Sequence, residues 1–312
     1  MNRRTRWLAV IVCLPNLCAA IAERPVQCAE TATRLPAGVA LEEACPDSRL
    51  TKVVLIAGSN FFKPGQHEYI GGCAVLMELL RQTPGVFPVL ALDWPRKSET
   101  FAGAKAVVFF FDGGDKHAWL NESRRAEVEK LADAGAGLVG FHQCIDVPKD
   151  LGPQVRDWMG AAFEKGFSQR AHWVAEFKTF PEHPVCRGVA PFRIDDGWLY
   201  KLRFVEGMQG VTPLLRTVSP NAKSAPETAD EPTVSWAYER SGGGRSFTFT
   251  GCHLHSSLAE EGYRKFLVNG ILWAAGRELP ASGAPVGLDT SQLDRYLSTA
   301  PTSPEKTSPE GK

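Results

Sequence analysis

The chain carries no excess of charge of either sign: Lys plus Arg and Asp plus Glu each number 35 in 312 residues. Nothing in that balance draws it to nucleic acid or to an anionic membrane, and a small neutral ligand suits it better. A membrane span is also missing. The apolar run that begins at Trp7 is broken by Pro15 and Asn16 and falls short of the ~20 residues a span needs. No local metal signature such as His-Glu-x-x-His occurs, so any metal site has to be assembled from distant parts of the chain. No segment of linker composition divides residues 52–276, which therefore read as one domain.

What the N-terminus does contain is a basic tip at Arg3, Arg4 and Arg6, an apolar stretch, and Ala20 and Ala22 at the spacing signal peptidase reads. Residues 1–22 are expected to be a signal peptide and the mature protein to be exported, periplasmic or extracellular, with no integral span left. Lipid attachment at Cys18 is the lesser alternative, because Pro15, Asn16 and Leu17 are poor neighbours for it. Six cysteines remain after cleavage: Cys28, Cys45, Cys73, Cys144, Cys186 and Cys252. Export permits disulfides, and a Cys28–Cys45 bridge would staple residues 23–51, an extension with little core of its own. Six free thiols are the alternative. Residues 277–312 lack an apolar period and read as a flexible tail.

Between these ends, short apolar runs alternate with helical patterns. Lys52–Gly58 ("KVVLIAG"), "VFPVLAL", "AKAVVFFF" and "AGLVGFH" read as buried strands. Val75, Leu76, Leu79 and Leu80 are spaced for a helix over 70–82, and "NESRRAEVEKLADAG" for a second, capped by Asn121 and stopped by Gly135. After Gly160 less regular strands follow, then a hairpin around Gly242, Gly243 and Gly244 and a last helix ending at Gly276. The pattern predicts an α/β fold: a mainly parallel sheet with helices on both faces.

In such a sheet a ligand binds outside the carboxyl ends of the strands. Five of the seven histidines fall there: His67, His117, His142, His253 and His255, the last two in "TFTGCHLHSSL". Asp112 shares that rim. In "IDDGWLY", Asp195 and Asp196 beside Gly197 could form a turn that presents an acid together with the face of Trp198, and Trp119 and Trp236 are further candidates to stack on a ligand ring. His183, in "HPVCRG", belongs to a bend.

The ordered set "VVLIAG…H", "GAGLVGFH", "HPVCRGV", "DDGWLY", "GGGRSFTFTGCH" and "FLVNGILWAAG" resembles the ThuA-like, or trehalose-utilisation, family over residues 52–276. The resemblance implies a flavodoxin-like fold related to class I glutamine amidotransferases and a link to carbohydrate metabolism, with oxidised (keto) sugars as one substrate class. Those amidotransferases place a nucleophilic cysteine at the elbow where "GFHQC" has His142, so glutaminase chemistry is not expected. Many relatives carry Asp-Glu where this chain has Asp195 and Asp196.

The expected site thus has His142, His253 and Asp196 as catalytic groups, and His67, Asp112, His117, Trp198, Asp195 and His255 around the substrate. His67, His142 and His253 are the candidate ligands for a divalent metal such as Zn²⁺. His253 is preferred to His255 because it lies nearer the strand end and matches the family's Gly-x-His place. A non-catalytic carbohydrate-binding protein and a cysteine hydrolase using Cys144 are the alternatives. The oligomeric state is not legible.

Overall fold

The computed structural model describes residue 35 and residues 39–218 and 232–298. The signal-peptide and lipid-attachment expectations and Cys28 fall outside them. Cys45, the proposed partner of Cys28, has a free thiol that faces the Asp47 carbonyl at 3.3 Å.

Seven strands form the central sheet: β1 (Thr51–Ala57), β2 (Val86–Leu92), β3 (Ala104–Phe110), β4 (Gly137–Phe141), β9 (Val211–Arg216), β10 (Thr233–Glu239) and β11 (Arg245–Phe249). Their order is β2-β1-β3-β4-β11-β10-β9. The first five run parallel, while β10 and β9 extend the sheet antiparallel. Taken in chain order, the parallel five have the 2-1-3-4-5 arrangement of flavodoxin-like folds. The buried runs make this possible: Val53 to Ala57 are all fully buried, as strands covered on both faces must be.

The helices are α1 (Tyr69–Leu80), α2 (Glu122–Asp133), α3 (Gly152–Met159) and α4 (Glu261–Ala274). At α2 the cap is as expected, Asn121 Oδ1 accepting from Ser123 N at 2.9 Å and Arg124 N at 3.3 Å. Two apolar clusters sit on the two faces of the sheet. One joins α1 and α4 through Leu76, Phe266 and Ile271 to Phe247 and Phe249; the other joins α2 and α3 through Val128 and Val155 to Phe109 and Trp236. Gly270 is required on α4, since a Cβ there would overlap the Phe247 ring.

A two-stranded ribbon, β6 (Gln169–Phe177) and β7 (Phe192–Tyr200), packs beside this sheet, and β5 (Ala161–Ala162) pairs with β8 (Arg203–Phe204). Here the structure corrects one expectation. Asp195 and Asp196 lie within β7, not in a turn, and strand alternation sends Asp195 outward and Asp196 inward. A second correction concerns residues 277–298, expected to be flexible. Leu279, Ala284, Val286, Leu293 and Tyr296 are buried in the first apolar cluster, and the Ser298 backbone N–H donates to Glu68 at 2.9 Å. Apolar residues too widely spaced for a helix or strand period still bury well along an irregular strap. Residues 299–312 lie outside the described part. Among the described residues no helix is long and apolar enough to cross a membrane.

Candidate functional site

Three loops at the carboxyl ends of parallel strands converge. His67 follows β1, His142 follows β4 directly, and His253 follows β11. Their rings sit 4.8 Å (His67–His142), 4.5 Å (His67–His253) and 5.3 Å (His142–His253) apart by centroid. One nitrogen of each lies within 4.8 Å of the others. The loops reach this arrangement through left-handed backbone at non-glycine residues: His67 at φ 52°, His142 at 51° and Cys252 at 74°. Each such residue costs about 1–3 kcal/mol and persists only where its surroundings hold it.

Those surroundings can be named. The His67 N–H donates to the His253 carbonyl at 2.9 Å, tying the first loop to the last. Asp196, fully buried, accepts backbone N–H bonds from Gly197 (2.8 Å), Cys252 (3.1 Å), His253 (2.8 Å) and Leu254 (3.2 Å). Burial pushes its carboxyl up to about 7, against those four donors, which favour the ionised form. Asp196 therefore clamps the His253 turn from beneath and is not exposed to a substrate, contrary to the catalytic role expected of it. Gly197 makes room for the imidazole, since a Cβ there would lie 2.9 Å from His253 Cγ.

The ring nitrogens are also assigned by their partners. His142 Nδ1 lies 2.9 Å from the Thr250 carbonyl, which can only accept, so Nδ1 carries the proton and Nε2 is left as a lone pair. That Nε2 is buried without a hydrogen-bond partner. His67 Nδ1 is 2.7 Å from Tyr69 Oη, and the His67 ring stacks on Phe62 at 3.8 Å. Burial pushes His67 down to about 2, helped by His142, His253 and the Arg170 charge, and pushes His142 down to about 3. Burial and the neighbouring His172 lower His253 as well. All three imidazoles are thus neutral at pH 7.

These rings open into a cleft of about 230 Å³, also lined by Gln143, Arg170, His172 and Trp198. Arg170 and His172, both on β6, were not anticipated. Their strand reads "QRAHWVAEF", whose alternating exposure marks a surface ribbon but not the direction in which its outer face looks. Arg170 bonds Asp146 at 2.7 Å, and His172 Nδ1 lies 3.4 Å from Asp195 Oδ1.

Other expected residues stand elsewhere. His117 has both nitrogens committed, one to the Cys144 carbonyl (2.7 Å) and one accepting from Trp119 N (3.0 Å), so it braces a turn and cannot bind substrate. His255 faces the strap, beside Tyr296 and in a backbone bond to Leu293, rather than the cluster. Asp112 accepts from the neighbouring Gly113 N–H at 3.0 Å and is not part of the cleft lining. Trp119 and Trp236 are fully buried; Trp198 forms part of the cleft lining but is 1% exposed and bonded to the Trp173 carbonyl, leaving no open face for stacking. Cys144 lies fully buried in the second apolar cluster with its thiol pushed far up, which removes the cysteine-hydrolase alternative. His183 caps a bend by accepting from Val185 N at 3.2 Å, as expected.

The chain matches the family model for ThuA, described as trehalose utilisation, over residues 53–274, and it belongs to that family. Two solved structures are similar. A ThuA-like protein from Parabacteroides merdae is 15% identical, with 80% of this chain and 99% of that one covered and a TM-score of 0.55. A ThuA-like protein from Bacteroides uniformis is 16% identical, with 78% and 98% covered and a TM-score of 0.53. At such identities the likeness concerns the fold. No curated protein matches the chain.

Proposed function

We propose that the protein is an exported enzyme of carbohydrate metabolism that acts on a sugar or keto-sugar derivative over His67, His142 and His253. The observation that carries this reading is the convergence of three neutral imidazoles, one with a buried and unpartnered Nε2, at the floor of an open cleft. A carbohydrate-related role follows from the family, whose description is trehalose utilisation. Export rests on residues 1–22, and a mature N-terminus near Glu23 is its check.

The donor set fits a divalent metal such as Zn²⁺, which takes neutral imidazole nitrogens and, with three protein ligands, keeps a position open. Such an ion, held by His67, His142 and His253, would polarise a carbonyl or a bound water. The chain's own groups supply the remainder. His172, half-exposed at the cleft and oriented by Asp195, offers its Nε2 to exchange a proton with a sugar hydroxyl. Among the described residues the Arg170 guanidinium donates only to Asp146, so its other N–H groups are free to hold hydroxyl or carbonyl oxygens and orient the ring. His142 takes the elbow position without a thiol, so no acyl-enzyme forms there.

The test is turnover by the purified mature protein of a panel of disaccharides and their keto derivatives, with and without added Zn²⁺, beside His142→Ala. Turnover abolished in the variant supports the reading. Saturable sugar binding without turnover would instead establish a carbohydrate-binding protein.

A further inference from the structure

We infer that Ser298, on the C-terminal strap, is a positioning residue for His67, holding through Asn60 and Glu68 the loop that carries this imidazole into the cleft. The order of the loop in the metal-free protein is independent of the reading above; only the consequence for metal affinity rests on it.

The loop of residues 58–68 joins β1 to α1 and contains no helix or strand, so its backbone groups need partners from side chains or from other segments. It is tied to the His253 turn by the His67 N–H, which donates to the His253 carbonyl at 2.9 Å, and by the His255 N–H, which donates to the Gly65 carbonyl at 3.0 Å. Ser298 makes the second tie. Its Oγ lies 2.8 Å from Asn60 Nδ2 and 2.9 Å from Glu68 Oε1, and its N–H donates to Glu68 Oε2 at 2.9 Å. The Asn60 amide has one orientation, because its Oδ1 accepts the Phe62 N–H at 2.8 Å and leaves Nδ2 as the donor. The Ser298 hydroxyl therefore accepts from Asn60 and gives its own proton to Glu68. Both partners are buried.

Each partner acts on a neighbour of His67. Asn60 fixes Phe62, whose ring lies on the His67 imidazole at 3.8 Å and 11° between planes, and donates to the Gln66 carbonyl at 3.3 Å. Glu68 follows His67 directly, and its Oε1 accepts the Gly65 N–H at 2.7 Å, closing the turn from its other end. Between them His67 stands at φ 52°, a conformation that persists only while its surroundings hold it.

The strap reaches this place on anchors of its own. Leu293 and Tyr296 are buried in the first apolar cluster, Gly71 on α1 leaves room for the Tyr296 carbonyl, which a Cβ would overlap, and Gln82 shares two bonds with Gly287 at 2.7 and 2.9 Å. Loss of the Ser298 hydroxyl therefore leaves the strap docked and loosens the loop alone.

The experiment is amide hydrogen exchange of Phe62, Gly65 and His67 in the metal-free protein, read by NMR, combined with Zn²⁺ affinity measured against a competing chelator. Wild type is compared with Ser298→Ala, Ser298→Thr and Gln82→Ala, the last loosening the strap at Gly287 instead. Ser298→Ala should speed exchange at the three loop amides at least about fivefold, the factor that one hydrogen bond of ordinary strength represents, while β4 keeps its wild-type rates. Zn²⁺ should weaken about tenfold. Ser298→Thr keeps the hydroxyl and should match wild type in both readouts, and Gln82→Ala should leave the loop amides unchanged. Unaltered loop exchange in Ser298→Ala, or equal acceleration in Gln82→Ala, overturns the positioning role. A loop that loosens as expected in a protein that never binds Zn²⁺ overturns the metal reading and leaves the positioning role standing.

Discussion

The Asp196 carboxylate accepts the backbone N–H of His253 at 2.8 Å and those of Cys252 and Leu254 at 3.1 and 3.2 Å. One buried side chain on the ribbon thus holds the strained turn that aims a cleft imidazole. Asp196→Ala would strand those donors, at a cost of about 3–4 kcal/mol. Urea denaturation should show that loss, and ¹⁵N spectra should show His253 displaced while His142 keeps its bond to Thr250. An equally stable variant would mean that the turn holds itself.

Gly197→Ala probes the same imidazole with less disturbance of the clamp. The added Cβ would meet His253 Cγ at 2.9 Å, so the ring has to swing away from His67 and His142. Overpacking of this sort costs about 1–3 kcal/mol. Zn²⁺ affinity and any sugar turnover should fall at least about tenfold, measured on a protein that still melts cooperatively.

The parallel strands and the helices flanking them were legible because their apolar periods are long and their caps are local: Asn121, Gly135 and the glycines of the β10–β11 hairpin act within a few residues of themselves. The histidine rim was legible for a topological reason, since parallel strands deliver their carboxyl ends to one edge. The features not legible locally depend on long-range partners. Beside Gly197, Asp196 reads as a turn acid, whereas β7 continues through it, and nothing local distinguishes an inward from an outward carboxylate beside a glycine. Arg170 and His172 sit on a ribbon whose docking is set by Trp173, Trp198 and Phe249 packing together. Residues 277–298 lack a period because they follow the surface of the domain rather than an axis of their own.

Cys144 offers a simple chemical check. Fully buried and with its thiol pushed far up, it should resist iodoacetamide in the native protein and react only after denaturation. Cys144→Ser should keep any turnover of the wild type. Rapid native alkylation accompanied by loss of activity would restore the thiol to the chemistry.

Acid should destabilise the fold through its buried histidines. His67, His117, His142 and His255 are held down at about 2, 4, 3 and 4, chiefly by burial. Unfolded, each titrates near 6.5. Between that value and the folded ones the unfolded chain binds more protons, so their contribution is full above pH 6.5 and is lost as pH falls toward 4. His183, held down at about 4, and His253, also lowered by burial, act in the same sense; Asp196, raised to about 7, and Asp112 and Asp146, raised by burial, act in the opposite one, three carboxyls against six imidazoles. The melting temperature should therefore drop from pH 7 to pH 4.5; a flat profile would show that these imidazoles are not buried in the neutral form.

The proposed function requires His67, His142 and His253 to act as one site. The most direct measurement is the amount of Zn²⁺ retained by the metal-free mature protein after loading and gel filtration, wild type beside His67→Ala, His142→Ala and His253→Ala. One equivalent per chain in the wild type, lost in each single variant while the circular dichroism spectrum is unchanged, is the predicted result. No retained Zn²⁺ in the wild type, or one equivalent kept by all three variants, would contradict it.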